Sequence, residues 1–340
     1  MIQQQTQETF LTGITTTGTP HLGNYVGAIR PAIQSSQIGG HKAYYFLADL
    51  HALIKCQDPE MVRRSSREIA ATWLALGLNT DNVVFYRQSD IPEIPQLAWF
   101  LTCVAAKGLM NRAHAYKDSV QKNLDDGQDP DYGITMGLFS YPVLMAADIL
   151  MFNGSKVPVG RDQIQHIEMA RDIGQRFNYL YGEHFVLPEA VVDDNMAVLQ
   201  GLDGRKMSKS YGNTIPLFLD EKQLKKHINK IVTNLLEPGE PKDPDTSTVF
   251  QIWKAFATAE QTAEMRREFE NGIAWGEAKK RLFELVNTEV SDARERYNQL
   301  LAEPDHIEAI LKKGAEKARE YSVPFLDRLK AAVGISPLTP

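Results

Sequence analysis

Short apolar runs alternating with helical periodicity set the first half of this chain. Thr9 to Ile14, Ala43 to Leu50 and Asn82 to Tyr86 are too short for buried helices and carry β-branched and aromatic residues, which predicts strands. Between them apolar positions recur three and four residues apart, as Leu22, Val26, Ile29 and Ile33 do, which predicts amphipathic helices. Strands alternating with helices read as a parallel sheet covered by crossover helices, with a ligand expected at the carboxyl ends of the strands. A further strand is expected over Lys156 to Val159, then a helix starting at or near Asp162 and ending about Asn178. Asp118 to Tyr132, with its acidic Asp125 to Pro130 run, predicts a mobile loop.

After Asn213 the short runs stop. Asp220 is placed to cap a helix in which Leu224, Ile228, Ile231 and Val232 share a face. Ser322 is placed to cap another, carrying Leu326, Leu329 and Val333 and stopping at Gly334. The region from Glu237 to Thr248, with three prolines and several acidic residues, interrupts this helical part. The expected architecture is α/β: a Rossmann-like parallel sheet domain over residues 1–213, followed by an all-helical domain over residues 214–340. No internal repeat is visible.

Composition narrows this picture. The chain has 340 residues, 43% of them hydrophobic, enough for a substantial core. No apolar run approaches the roughly 18 residues of a membrane span, and Met1 to Glu8 lacks a charged start and apolar middle, so a cytoplasmic protein is expected. Cys56 and Cys103 are too few for a disulfide framework or a thiolate metal centre, and are expected as small buried hydrophobes. A net charge of -6 argues against coating nucleic acid through bulk charge, and DNA is not expected as a partner. Two local basic clusters, Lys222, Lys225, Lys226 and Lys230, and Lys279, Lys280 and Arg281, are either solvated helix faces or RNA contacts.

Candidate chemistry lies in two distant stretches. Thr12 to Tyr25 holds Gly13, Gly18 and Gly23 between a strand and a helix start, where unpaired N–H groups and the helix dipole suit a polyphosphate. His21 is placed to donate to a phosphate oxygen, and Gly23 leaves room for a flat purine. Lys206-Met207-Ser208-Lys209-Ser210, flanked by Gly204 and Gly212, puts two lysines three residues apart where they can clamp a pyrophosphate. Taken singly, these are packing glycines and a solvated basic turn; taken together, they can grip the same phosphates.

On these two stretches the chain resembles the class I aminoacyl-tRNA synthetases, whose hallmarks are a His-x-Gly-His type element and a Lys-Met-Ser-Lys-Ser loop. The first element here ends in Asn24, a variation common in the tryptophan and tyrosine branch. Tyr141 to Leu150, Val157 to His166 and Ala170 to Asn178 are similar to tryptophanyl-tRNA synthetases of the bacterial type, and the resemblance runs from about Thr9 to Gly334. It implies that tryptophan attacks ATP to give tryptophanyl-adenylate and pyrophosphate, and that the tryptophanyl group then passes to tRNA(Trp). No protein nucleophile is needed: alignment and charge stabilisation do the chemistry.

The resemblance assigns His21, Lys206 and Lys209 to catalysis. To ATP it assigns Thr15, Thr16, Thr17, Gly23, Asn24, Gly160, Arg161, Asp162 and Ala197, together with Met207, Ser208 and Ser210 of the lysine loop. Among these, Gly160 and Asp162 approach the ribose, Asp162 being also a candidate helix cap, and the Ala197 backbone meets the adenine. Asp148 would accept the indole N–H, since a carboxylate suits a donor-only group; Met145 would pack on the ring, and Tyr141 and Gln163 would face the ammonium. His51, just past a strand end, is a further candidate for the tryptophan site. Mg²⁺ is expected to arrive on ATP, with no protein metal site. The resemblance also implies a homodimer formed through an insertion in the first domain, and anticodon binding by the second.

Two departures from the family pattern stand out. Thr15-Thr16-Thr17-Gly18 replaces a Gln-Pro-Ser-Gly run common in bacterial members, and Arg161 replaces an acidic residue beside the ribose position. For the phosphate-side lysine, Lys117 and Lys122 are equal candidates. Rival readings are a tyrosyl-tRNA synthetase, because an aspartate also receives a phenol O–H, a small-molecule nucleotidyltransferase without tRNA, and a non-catalytic paralogue.

Overall fold

The computed structural model describes residues 8–192, 198–335, 337 and 338. A five-stranded parallel sheet in the order β3-β2-β1-β4-β5 forms its centre, from β1 (Thr9–Thr15), β2 (Lys42–Ala48), β3 (Val84–Arg87), β4 (Lys156–Pro158) and β5 (Glu189–Val191). Burial on both faces explains why β2 reads as a continuous apolar run: Tyr44, Phe46 and Ala48 pack into one core cluster, and Ala43, Tyr45 and Leu47 into another on the opposite face. The edge strand β5 was not expected from sequence. Its three residues, Glu189 to Val191, carry no apolar run because none of them is fully buried.

Helix α1 (Leu22–Asn24) runs through a π-helical segment, Tyr25–Ile29, into α2 (Arg30–Ile38). Pro31 in the following turn lacks an N–H, and the wider turn accommodates the missing bond while Leu22, Val26 and Ile29 stay buried as their spacing predicts. After β2 come α3 (Asp49–Ala52) and α4 (Pro59–Ala75), capped by Asp58. After β3 follow α5 (Glu93–Val104), α6 (Lys107–Met110), α7 (His114–Asp125) and α8 (Met136–Met151), and after β4 comes α9 (Ile164–Tyr181).

The expected loop over Asp118 to Tyr132 is corrected, since its first half lies in α7. Tyr116 packs edge-on against Phe139 and donates to Asp131 at 2.9 Å. Asn123 donates to the Pro130 and Tyr132 carbonyls, so the acidic turn is tied to its own helix.

Beyond the lysine loop lie α10 (Glu221–Asn229), α11 (Thr248–Phe256), α12 (Ala259–Glu270), α13 (Trp275–Ala302) and α14 (Pro304–Ala332). Asp220 caps α10 as expected, accepting from the Gln223 N–H at 2.8 Å. Leu224, Ile228 and Ile231 are buried there, but Val232 is half exposed, beyond the end of the helix. Ser322 is not a cap: it sits inside α14, fully buried, where its hydroxyl meets the Glu93 carboxylate at 3.2 Å. Cys56 is buried but Cys103 is exposed, which corrects the second half of that expectation.

Two packing relations place the site. Helices α10 to α13 build a core with Leu22, Tyr25, Val26 and Met207, binding the glycine-rich turn and the lysine loop to the helical region. Helix α14 returns to the sheet, where Ala315, Ala318, Phe325, Leu326 and Leu329 join the core of β1 to β3 and α8. It crosses β3 at Gly314, whose missing side chain leaves room for the Phe85 carbonyl.

Candidate active site

Strand order reverses between β1 and β4, and both strands end at one crevice, where open parallel sheets bind ligands. The turn after β1 supplies His21, Gly23 and Asn24, and the turn after β4 supplies Gly160, Arg161 and Asp162, to a cavity of about 500 Å³ closed by Lys206 and Met207. A second cavity of about 560 Å³ takes in Thr15, Thr17, Ser208, Lys209 and Tyr211. They share His21, Asn24, Lys206 and Met207, so one groove joins the two motifs.

The glycine-rich turn is held from several sides. Gly18, at φ +75, has its N–H bound by the Ser65 hydroxyl at 2.8 Å, and Thr19 donates to Glu68 at 2.7 Å, both on α4. Leu22 N–H to the Ile215 carbonyl, 2.9 Å, and Leu217 N–H to the Pro20 carbonyl, 3.0 Å, join the turn to the segment beyond the lysine loop. His21 caps α1: its Nδ1 accepts from the Asn24 N–H at 3.3 Å while Asn24 Oδ1 accepts from the His21 N–H at 3.2 Å. Burial first, and then Lys209, push its pKa down to about 4, so the ring is neutral at pH 7. With Nδ1 an acceptor, Nε2 carries the proton and is a donor. A side chain at Gly23 would press on the His21 ring at 3.1 Å, so glycine is needed for this approach.

Lys209 reaches across to that turn. Its Nζ donates to the Thr17 and Gly18 carbonyls at 2.5 and 2.9 Å, and burial lowers its pKa from the usual lysine value. Met207 anchors the loop in the helical core, while Lys206 and Ser210 are exposed. Asn213, not singled out from sequence, is the scaffold: its Oδ1 accepts from the Ser208 N–H at 2.8 Å, and its amide donates to Asp203 at 2.7 Å and to the Lys206 carbonyl at 3.1 Å. That bond from Asn213, then Arg205, holds the Asp203 carboxyl down at about 2. Thr15 and Thr17 line the groove, but Thr16 is fully buried, with its hydroxyl unpartnered.

At the β4 turn, Asp162 does not cap a helix. Neither the 3-10 turn Arg161–Gln163 nor α9 has a side-chain cap, and Asp162 instead accepts from the Gln163 amide at 3.0 Å. Ala197 lies outside the described residues.

A second constellation surrounds Asp148. Helix α8 is apolar nearly all round and so buried, and it carries this one carboxylate, 1% exposed, into the interior. His51 Nε2 lies 2.9 Å from Asp148 Oδ2, and the Gln88 amide lies 2.7 and 2.9 Å from the two oxygens. Burial raises the Asp148 pKa, opposed by these two neighbours. Tyr141 Oη and His166 Nε2 are 2.5 Å apart, the His166 Nδ1 has no partner, and the Tyr141 ring meets the His51 ring edge-on. Met145 packs on the edge of the same core. Gln88 and His166 were missed from sequence, although Gln88 sits just past the end of β3 as His51 does past β2, and that shared position was the available signal.

Other expected contacts fall elsewhere. Lys117 and Lys122 are exposed on α7 and line neither cavity. Lys279 donates to the Asn229 and Ile231 carbonyls at the end of α10, and Lys280 and Arg281 pair with Glu277. Lys222, Lys225, Lys226 and Lys230 remain an exposed basic face. Among the described residues no group of three His, Cys, Asp or Glu is placed to hold a metal ion, and no helix is long and apolar enough to cross a membrane.

The chain is similar to known proteins over most of its length. The family model of class I tRNA synthetases for tryptophan and tyrosine matches residues 3–291. A tryptophan–tRNA ligase from Pseudomonas aeruginosa is 64% identical over 96% of this chain and 74% of its own length. One from Neisseria meningitidis is 59% identical over 96% of this chain and 98% of its own. The solved tryptophanyl-tRNA synthetase from Campylobacter jejuni, complexed with ADP and tryptophan, superposes with a TM-score of 0.87 at 42% identity, over 96% of this chain and 99% of its own. With the crevice, the lysine loop and this likeness in one frame, the chain belongs to the class I aminoacyl-tRNA synthetases, in the tryptophan–tRNA ligase family.

Proposed function

We infer that this enzyme attaches L-tryptophan to tRNA(Trp) with ATP, through a tryptophanyl-adenylate, releasing pyrophosphate and then AMP. The observation that carries this reading is the groove in which Lys209 meets the Thr17 and Gly18 carbonyls beside a neutral, donating His21. A carboxylate oxygen of tryptophan attacks the α-phosphorus of ATP, the bond to the bridging oxygen breaks, and pyrophosphate leaves with the electron pair. Negative charge grows on the leaving group, and Lys206, Lys209 and the His21 Nε2 proton are the groups to meet it.

Gly160, Arg161 and Asp162 border the same groove where a ribose would follow the phosphates, with Gly23 and Asn24 against the nucleotide. Mg²⁺ would travel with ATP on phosphate oxygens and water. Asp148 is the acceptor for the indole N–H, with His51 bonded to it and the Tyr141 ring against His51; Met145 packs on the indole, and Tyr141 and Gln163 face the ammonium. The exposed lysines of α10 are the basic face offered to tRNA, and the active species is a cytoplasmic homodimer. Tyrosine is the disfavoured substrate, since the similar proteins at 59% and 64% identity are tryptophan–tRNA ligases.

ATP–pyrophosphate exchange with purified protein tests the reading. Exchange that depends on tryptophan is the expected result. Dependence on tyrosine overturns the substrate, and no exchange with either overturns the activity.

A further inference from the structure

We propose that Gln88 is a positioning residue for amino-acid selection, its amide holding the Asp148 carboxylate as an oriented acceptor for the indole N–H. The proposal rests on the reading of Asp148 given above and adds the device that makes that carboxylate selective.

Gln88 opens a 3-10 turn, Gln88–Asp90, at the carboxyl end of β3, and it is fully buried. Its Oε1 lies 3.1 Å from the Leu50 backbone N–H and its Nε2 faces both Asp148 oxygens. A backbone N–H only donates and a carboxylate only accepts, so the amide has one possible orientation. The turn itself is fixed, because the Ser89 N–H and hydroxyl both bind the Asp49 carboxylate, at 3.0 and 2.5 Å. Gln88 therefore ties three elements together: the turn after β2, the end of β3, and α8. His51 supplies the second donor, to Oδ2 alone. An ionised carboxylate offers about four acceptor positions, and these contacts leave capacity on Oδ1 for one more donor.

The orientation matters because the carboxylate is buried. A buried carboxylate that loses a donor takes up a proton more readily, and a protonated Asp148 would be a weaker acceptor, with one oxygen turned into a donor, for an indole that can only donate. The ionisable groups facing it are His51 and Asp49 from α3 and Tyr86 from β3; Asp49 raises its proton affinity, His51 lowers it, and Gln88 lowers it without titrating. As pH falls, Asp148 protonates and tryptophan binding weakens.

The test compares the full-length wild type with Gln88→Met, of similar length but without a donor, and Gln88→Glu. Tryptophan-dependent exchange is measured from about pH 5.5 to 9, beside an analogue in which sulfur replaces the indole N–H. For Gln88→Met, KM for tryptophan should rise about 10-fold or more while KM for ATP holds, and the analogue should lose less than about 3-fold. The low-pH rise in KM should also move to higher pH. In Gln88→Glu the sign reverses: the introduced carboxyl group still donates when protonated but repels Asp148 when ionised, so KM for tryptophan should climb as pH rises.

Equal losses for tryptophan and the analogue, or a ratio and pH limb unchanged in Gln88→Met, overturn the proposal. If Gln88→Met fails to melt cooperatively, Gln88→Glu decides alone through the direction of its pH limb. Preference for tryptophan over the analogue that survives Asp148→Ala, which has no acceptor, overturns the reading of Asp148 and the proposal with it. Absence of tryptophan-dependent exchange in the wild type overturns the activity itself.

Discussion

At the scale of the residue, what distinguishes this site is how few of its groups need to titrate. His21 is held neutral by burial, with its proton placed on Nε2 by the Asn24 N–H at its other nitrogen. Lys209 is the charge. Its ammonium donates to the Thr17 and Gly18 carbonyls, and a polyphosphate in the groove would compete with them for it. Lys209→Met keeps the stem and removes the charge, and its effect should therefore fall on the transition state. Exchange should drop by about 10²–10³-fold in kcat with a melting temperature close to that of the wild type; steady-state exchange and thermal unfolding measured side by side check this, and a change in KM for tryptophan alone would contradict it. His21, Lys206, Lys209 and Asp148 could be picked out from sequence because their neighbours spell motifs. Asn213 and His166 could not, because each works through contacts with residues 5 to 25 positions away; Gln88 left only its place just past a strand end as a signal, since its partner Asp148 is 60 positions away.

At the scale of the element, close approach is the constraint. Gly314 lets α14 lie against the Phe85 carbonyl in β3, and a methyl group there would overlap that oxygen. Backbone cannot move aside as a flexible side chain can, so Gly314→Ala should shift the helix and cost about 1–3 kcal/mol, the range for overpacked cores, with better helix propensity offsetting part of it. Chemical denaturation should show a lower midpoint with an unchanged slope; a midpoint equal to that of the wild type would mean the crossing is looser than the structure has it. Nothing in the sequence around Gly314 marks this role, since a glycine inside a helical pattern looks only like a weak point. The apolar runs of β2 and β3 were readable because those central strands are buried on both faces, whereas β5 and α7 lie at the edge, where polar residues are tolerated in any conformation.

For the whole molecule, the consequence concerns where the chain's last helix belongs. All the proposed residues of the ATP and tryptophan sites precede residue 214, yet Ile307, Leu311, Phe325, Leu326 and Leu329 of α14 are buried in the cores on the two faces of the sheet. Arg87 to Glu308 and Glu93 to Arg319 add ties across the same contact. Each large apolar side chain contributes roughly 1.5–3 kcal/mol when buried, so five of them rival the roughly 5–15 kcal/mol stability of a typical domain. A chain ending at Glu303 should therefore lose cooperative melting and pyrophosphate exchange together, although every proposed site residue remains; retention of both would show that the sheet stands without α14. Periodicity along the chain was enough to read the parallel sheet, its helices and the two motifs of the groove, because these depend on neighbouring residues. Only the tertiary structure decided that α14 completes the sheet's core, that Lys209 meets the turn after β1, and that Gln88 and His51 both hold Asp148. Those are contacts between segments far apart in sequence, and their partners are selected by packing, shape and the need of buried polar groups for one another, none of which a local pattern records.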